Sequence, residues 1–180
     1  RMFAALQQPL LRYGLALGIA LGCAWPVNAL VELFPDQYVY FNELAGGTAG
    51  AQGQFELDYW GTSLAEATRR LTHSLQERGE LPKPGQKPLK VYVCGNVWSA
   101  ATFFPASLAP VERLEDADLE IAIDTFFCRQ PKDSRRLLDV TRGGALLSYV
   151  NDLRRLPADK PASGFAQAER AKALGARAAH

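Results

Sequence analysis

Three groups of residues have types and spacings that can do chemistry. The first is Asp58-Tyr59-Trp60, a carboxylate beside two aromatic rings, preceded by Tyr40 and Asn42 in an aromatic stretch running from Asp36 to Leu44. Carboxylates and amides accept hydrogen bonds from hydroxyls, and ring faces suit the C–H faces of a sugar. A sugar or a cation therefore fits this set; the plainer alternative is that Asp58 caps a turn or helix and the rings pack in a core. The second is the pair Cys94 and Cys128, each expected to end a strand. If those strands are neighbours the thiols fall within disulfide reach, and two buried free thiols are the alternative. The third is Gly14, Gly18 and Gly22, every fourth residue on one helix face, a ridge that lets another helix approach closely; Gly is also simply common in membrane helices.

Other chemistries are missing. His73 falls in the middle of a helical pattern, His180 is the last residue, and no His/Cys/carboxylate set has metal-ligand spacing. There is no G-x-S-x-G elbow and no C-x-x-C pair. Gly46, Gly47, Gly50 and Gly53 form neither dinucleotide nor P-loop spacing and have no phosphate-holding Lys. No cofactor or metal is expected, and catalytic residues are not assigned. Net charge is +1 over 180 residues, so no global field draws the chain to nucleic acid.

The elements that position these residues are segregated along the chain. From Tyr13 to Val31 nothing is charged, and a helix of that length rises about 28 Å, near the hydrocarbon thickness of a bilayer. Arg1 and Arg12 precede it, while Glu32 and Asp36 follow. That asymmetry places the amino end in the cytoplasm and the body outside. Trp25 suits the far interface, and Pro26 with Asn28 weakens the last turn, so the helix is expected to stop or break near Trp25. The rival reading is a secretory signal over residues 1–29, with Val27-Asn28-Ala29 as cleavage site, or Cys23 as a poor lipoprotein site. Arg1 ahead of Met2 suggests a piece of something longer.

In the body, Ser63-Leu64-Ala65-Glu66 reads as a capping box opening a helix with Leu64, Ala67, Leu71 and Leu75 on one face and Gly79 at its end. After a turn-rich Lys83–Pro88, strands are expected at Leu89–Cys94 and Leu119–Phe126, with a short helix from Val97 to Phe104 between them. Alternation in the second strand puts Glu120 and Asp124 on a wet face, or the strand at an edge. Leu137–Arg142 and Ala145–Leu153 flank Gly143-Gly144 as a hairpin. The fold class is α/β: an N-terminal transmembrane helix (1–34), then a small two-layer domain with a mixed sheet of about three to five strands (35–156). An Ala- and Arg-rich flexible tail covers 157–180.

Two stretches, Pro35-x-Gln37-Tyr38-x-Tyr40-Phe41-Asn42 and Asp58-Tyr59-Trp60-Gly61 with Gly46-Gly47 between them, carry a resemblance. The chain resembles the C-terminal end of bacterial polytopic membrane glycosyltransferases related to protein O-mannosyltransferases and aminoarabinose transferases. The resemblance is specific over about 36–66 and loose to about 153. A His that often precedes the Pro is Phe34 here. It implies that the apolar helix is the last of several, packed among sister helices in the bacterial inner membrane. The domain then lies on the extracytoplasmic side of an enzyme that takes sugar from a polyprenyl-phosphate donor. The family's catalytic carboxylate lies in an early loop with no counterpart here, so this part would support or bind substrate. A secreted or lipid-anchored carbohydrate-binding module is the alternative from another class.

Overall fold

The computed structural model describes residues 9–128 and 131–154; the expected tail lies outside them. Helix α1 spans Pro9–Glu32 without interruption, with Pro26 inside it. The 22 residues from Leu11 have mean hydropathy 1.7 and none of their best window is buried, so this helix is long and apolar enough to cross a membrane. The expected break near Trp25 does not occur. The ladder resumes past Pro26 with the Leu33 amide donating to Ala29 O at 3.0 Å. Asn28 Nδ2 donates to Glu32 Oε1 at 2.8 Å and the Trp25 indole donates to Glu43 at 2.7 Å. Contact with the body thus holds the last turn that local propensity would fray.

The chain then folds back through two 3-10 turns, Gln37–Val39 and Glu43–Ala45, and a short helix α2, Gly47–Ala51. Helix α3, Ser63–Glu77, follows, and it leads into β1 (Leu89–Cys94), α4 (Val97–Ala101), β2 (Leu108–Val111), β3 (Leu119–Ile123), β4 (Arg135–Arg142) and β5 (Ala145–Asp152). The sheet is mixed and five-stranded, in the order β2-β1-β3-β5-β4. β1 is parallel to both β2 and β3, whereas β5 is antiparallel to β3 and β4. Pro110 lies in β2, an edge strand, where a missing amide is tolerated. Gly143 and Gly144, with φ of +51° and +79°, make the two-residue turn of the β4–β5 hairpin.

Two apolar clusters hold the domain together. Leu64, Ala67, Leu71 and Leu75 of α3 are fully buried against Val91, Leu119, Ile121, Val140 and Val150. This is the expected helical stripe, and Gly79 at φ +67° closes the helix as the amide of Glu80 bonds Leu75 O. The second cluster joins the base of α1 to the hairpin end of the sheet through Leu33, Val39, Ala51, Leu57, Ala145 and Leu147.

β3 is central, so the expectation of an edge or a wet face at Glu120 fails. Glu120 is 1 % exposed and accepts a 2.7 Å hydrogen bond from Asn151 Nδ2 on β5. Beside it the Arg136 guanidinium lies 3.8 Å from the centre of the buried Tyr149 ring. Sequence alternation looks the same whether a polar side chain meets water or a partner on the neighbouring strand.

The ends of the sheet are not equivalent. Ile123 lies opposite Ser148, so the hairpin turn lies beyond the carboxyl end of β3. Leu33 packs against that turn: a Cβ on Gly143 would lie 3.1 Å from Leu33 Cδ2. The base of α1, the hairpin turn and the carboxyl ends of β1 and β3 therefore share one end of the domain.

Candidate functional site

Asp58 lies at the centre of a buried polar knot. It opens a turn closed by the Gly61 amide on Asp58 O at 2.9 Å, and Gly61 has φ +66°. The carboxylate reaches the start of α3 and accepts from the amides of Thr62 (3.0 Å) and Ser63 (3.1 Å), from the Ser63 hydroxyl and from Tyr38 OH. The two amides are orphan groups of a helix N-terminus, and the two hydroxyls add to them. The capping box at Ser63 and Glu66 does not form. Ser63 is already helical and gives its hydroxyl to Asp58, while Glu66 is drawn to Arg70 at 2.6 Å and to Arg142 on β4. A neighbouring carboxylate and two cations outcompete the local reciprocal bonds.

The knot extends back toward the apolar helix α1. Thr62 Oγ1 donates to Asp36 Oδ1 at 2.7 Å, and Arg142 Nε lies 3.2 Å from Asp36 Oδ2. Asp36 and Asp58 are 1 % and 4 % exposed. Burial pushes the Asp58 carboxyl up to about 6; the bonds from Ser63 and Thr62 oppose this, and the charge of Asp36 adds to it.

Next to the knot a crevice of about 290 Å³ opens between the carboxyl ends of β1 and β3. Its walls are Gly95 and Asn96 after β1, Ile123, Asp124 and Thr125 at the end of β3, Phe127, and the segment Glu56–Tyr59. Chain leaving β1 travels toward β2, whereas chain leaving β3 travels to the opposite side of the sheet. Such a reversal point leaves a gap that in open α/β sheets receives ligands. Glu56 Oε1 accepts from Thr125 Oγ1 at 2.9 Å and Asp124 Oδ2 from Gln52 Nε2 at 2.7 Å. A disulfide between Cys94 and Cys128, with Cα atoms 5.7 Å apart, ties the two walls together. Cys128 lies in the loop after β3 rather than at a strand end.

The residues singled out from sequence are not gathered in one place. Asp58 and Tyr59 line the crevice, although the Asp58 oxygens are engaged by the knot. Tyr59 and Trp60 are mostly exposed and meet edge to face at 5.3 Å. Tyr40 instead lines a cavity of about 400 Å³ between α1 and the body, with Trp25, Asn28, Glu32 and Glu43. Asn42 accepts from the Ala45 amide at 3.2 Å and serves as a turn cap. Gly14, Gly18 and Gly22 face open space, with nothing within 4 Å of an added Cβ. Glu56, Asn96, Asp124, Thr125 and Phe127 were missed. The signal of Asn96, Asp124 and Thr125, polar residues just past two strands, acquires meaning only once β1 and β3 are known to be parallel neighbours; Glu56 and Phe127 carry no such signal. No group of three His, Cys, Asp or Glu suited to a metal exists among the described residues. Comparison with known protein families, curated proteins and solved structures returns no match.

Proposed function

We propose that the chain is the carboxyl-terminal part of an integral membrane glycosyltransferase. It would serve as a cap at the outer face of a bacterial plasma membrane, where a sugar passes from a polyprenyl-phosphate donor to an acceptor. One observation carries this reading. The two halves of the motif on which the resemblance rests, Pro35–Asn42 and Asp58–Gly61, meet in a single hydrogen-bonded knot through Tyr38–Asp58 and, just past the second half, Asp36–Thr62. The motif residues therefore act together, locking the base of an apolar helix to an α/β domain. That coupling is what an enzyme needs to hold a cap at fixed height over a bundle of spans. The disulfide supports an oxidising, extracytoplasmic setting. The open glycine ridge on α1 suits packing against sister helices.

The test is reconstitution of the full-length gene product in liposomes with radiolabelled polyprenyl-phosphate sugar and a membrane extract as acceptor. Label is expected to move to acceptor, and protease added to spheroplasts is expected to digest the cap. A donor left unconsumed, or a cap protected inside the cell, refutes the reading. The carboxylates and aromatics of the crevice favour a second reading, a secreted or lipid-anchored carbohydrate-binding module. Amino-terminal sequencing separates the two: a mature start at Leu30, or lipid on Cys23, selects the module. The Trp25–Glu43 hydrogen bond, which cleavage before Leu30 would remove, supports a retained helix against that cleavage.

A further inference from the structure

We infer that the crevice between the carboxyl ends of β1 and β3 binds an uncharged glycosyl group presented from the membrane side. The lining supplies what such a ligand needs. Glu56 and Asp124 each have one oxygen fixed by a neighbour, Thr125 and Gln52 respectively. Among the described residues the second oxygen of each has no partner and is available to a hydroxyl. Charge-assisted O–H bonds of this type are short and strong, and a carboxylate held in place loses little freedom on binding. Asn96 adds an amide whose oxygen already accepts from the Trp98 amide at 3.1 Å, which fixes its orientation and leaves its NH2 as donor. Tyr59 and Phe127, 68 % and 84 % exposed, stand at the mouth, where their faces can meet the C–H side of a ring.

Charge selects against the other ligand class. The described lining holds Glu56, Asp58 and Asp124 and no basic side chain. A phosphate would enter against like charge, which costs affinity in a partly desolvated crevice. At about 290 Å³ the space sits at the small end of ligand pockets, which suits one sugar ring better than a long glycan.

The direction of approach follows from the shared end of the domain. The base of α1, the hairpin turn at Gly143 and the crevice all lie there, so on a membrane-anchored chain the crevice sits at the end of the domain nearer the bilayer. The exposed rings of Trp60, Trp98, Phe126 and Phe127 occur in the segments around it and suit the headgroup layer. The disulfide keeps the two walls at fixed spacing. This inference deepens the transferase reading by giving the cap a sugar subsite, and rests on it for the membrane-side approach alone.

The experiment uses the whole chain in phosphatidylcholine nanodiscs and ligand-observed saturation-transfer NMR. Probes are the methyl glycosides of glucose, galactose and mannose, inorganic phosphate, and digalactosyldiacylglycerol placed in the disc. Saturation transfer to at least one methyl glycoside or to the glycolipid headgroup is expected. Phe127→Ala and Tyr59→Ala, at exposed positions that leave the fold intact, should each weaken it roughly three- to tenfold. Leu44→Ala, 98 % exposed and outside the lining, should leave it unchanged. Response to the glycolipid alone identifies a lipid-borne source; equal response to free glycosides identifies a soluble one. Silence from all sugar probes, competition by inorganic phosphate, or indifference to Phe127→Ala overturns the inference. A full-length enzyme that transfers sugar while its crevice binds none keeps the transferase reading and removes only this one; a crevice that binds without any transfer does the reverse.

Discussion

Removal of the Asp58 carboxylate should have a pH dependence opposite to that of an ordinary helix cap. An exposed cap carboxylate has a lowered pKa and stabilises most when ionised. Asp58 is buried, and its pKa rises from 3.8 to about 6. Between these values the folded chain keeps a proton that the unfolded chain releases. Its contribution is complete below about pH 4 and is lost as pH rises through about 6, a difference of about 3 kcal/mol. Asp58→Ala also strands the amides of Thr62 and Ser63 and the Ser63 hydroxyl, and leaves Tyr38 OH with Thr62 Oγ1 alone. Loss of a cap and of a buried hydrogen-bond acceptor together cost about 2–4 kcal/mol. That full cost is expected near pH 4, whereas near pH 7 relief of the buried charge offsets most of it. The assay is urea unfolding of wild type and Asp58→Ala in the same detergent, followed by near-ultraviolet circular dichroism at several pH values. Only the difference between the two proteins is interpreted, so titrating groups that do not interact with Asp58 cancel. A mutant more damaged at pH 7 than at pH 4 would refute the account of Asp58 as a carboxyl dominated by desolvation.

Four further outcomes are expected. Replacing Cys94 and Cys128 by Ser opens a loop with a sequence separation of 34, which should cost roughly 4 kcal/mol in denaturant unfolding, and dithiothreitol should reproduce the loss in wild type. Gly143→Val puts a Cβ 3.1 Å from Leu33 and 3.2 Å from Thr48 at a φ of +51°. A strain of about 1–2 kcal/mol for the left-handed backbone alone should loosen the α1 junction and speed limited proteolysis between residues 33 and 40. Glu120→Gln removes a buried carboxylate whose pKa burial raises against Asn151 and Arg136; its melting temperature should exceed wild type at neutral pH, and the gain should vanish in acid. Gly18→Ile should leave the stability of the α/β body unchanged, since nothing lies within 4 Å, yet lower assembly of the full-length protein. Unchanged assembly would remove the packing role of the ridge.

The amino-acid sequence by itself determined what depends on local spacing. The uncharged run from Tyr13 to Val31 specifies α1, the Leu64–Leu75 stripe with Gly79 specifies α3 and its end, and Gly143-Gly144 specifies the hairpin. Each signal spans fewer than about two dozen residues and arises from backbone geometry and hydrophobic period, which neighbours in sequence carry. Tertiary structure decided the rest, because the deciding partners are far apart in the chain. Pro26 does not end α1, since Glu43 and the body hold the turns beyond it. Ser63 and Glu66 do not form a box, since Asp58 and Arg142 take them. Glu120 faces Asn151 rather than water. The crevice exists only because β1 and β3 lie side by side with β2 displaced to the outside, bringing Asn96 and Asp124 to opposite walls of one gap. Two polar residues past two strands become a site when pairing of the strands makes them neighbours, and pairing is a property of the sheet rather than of either strand.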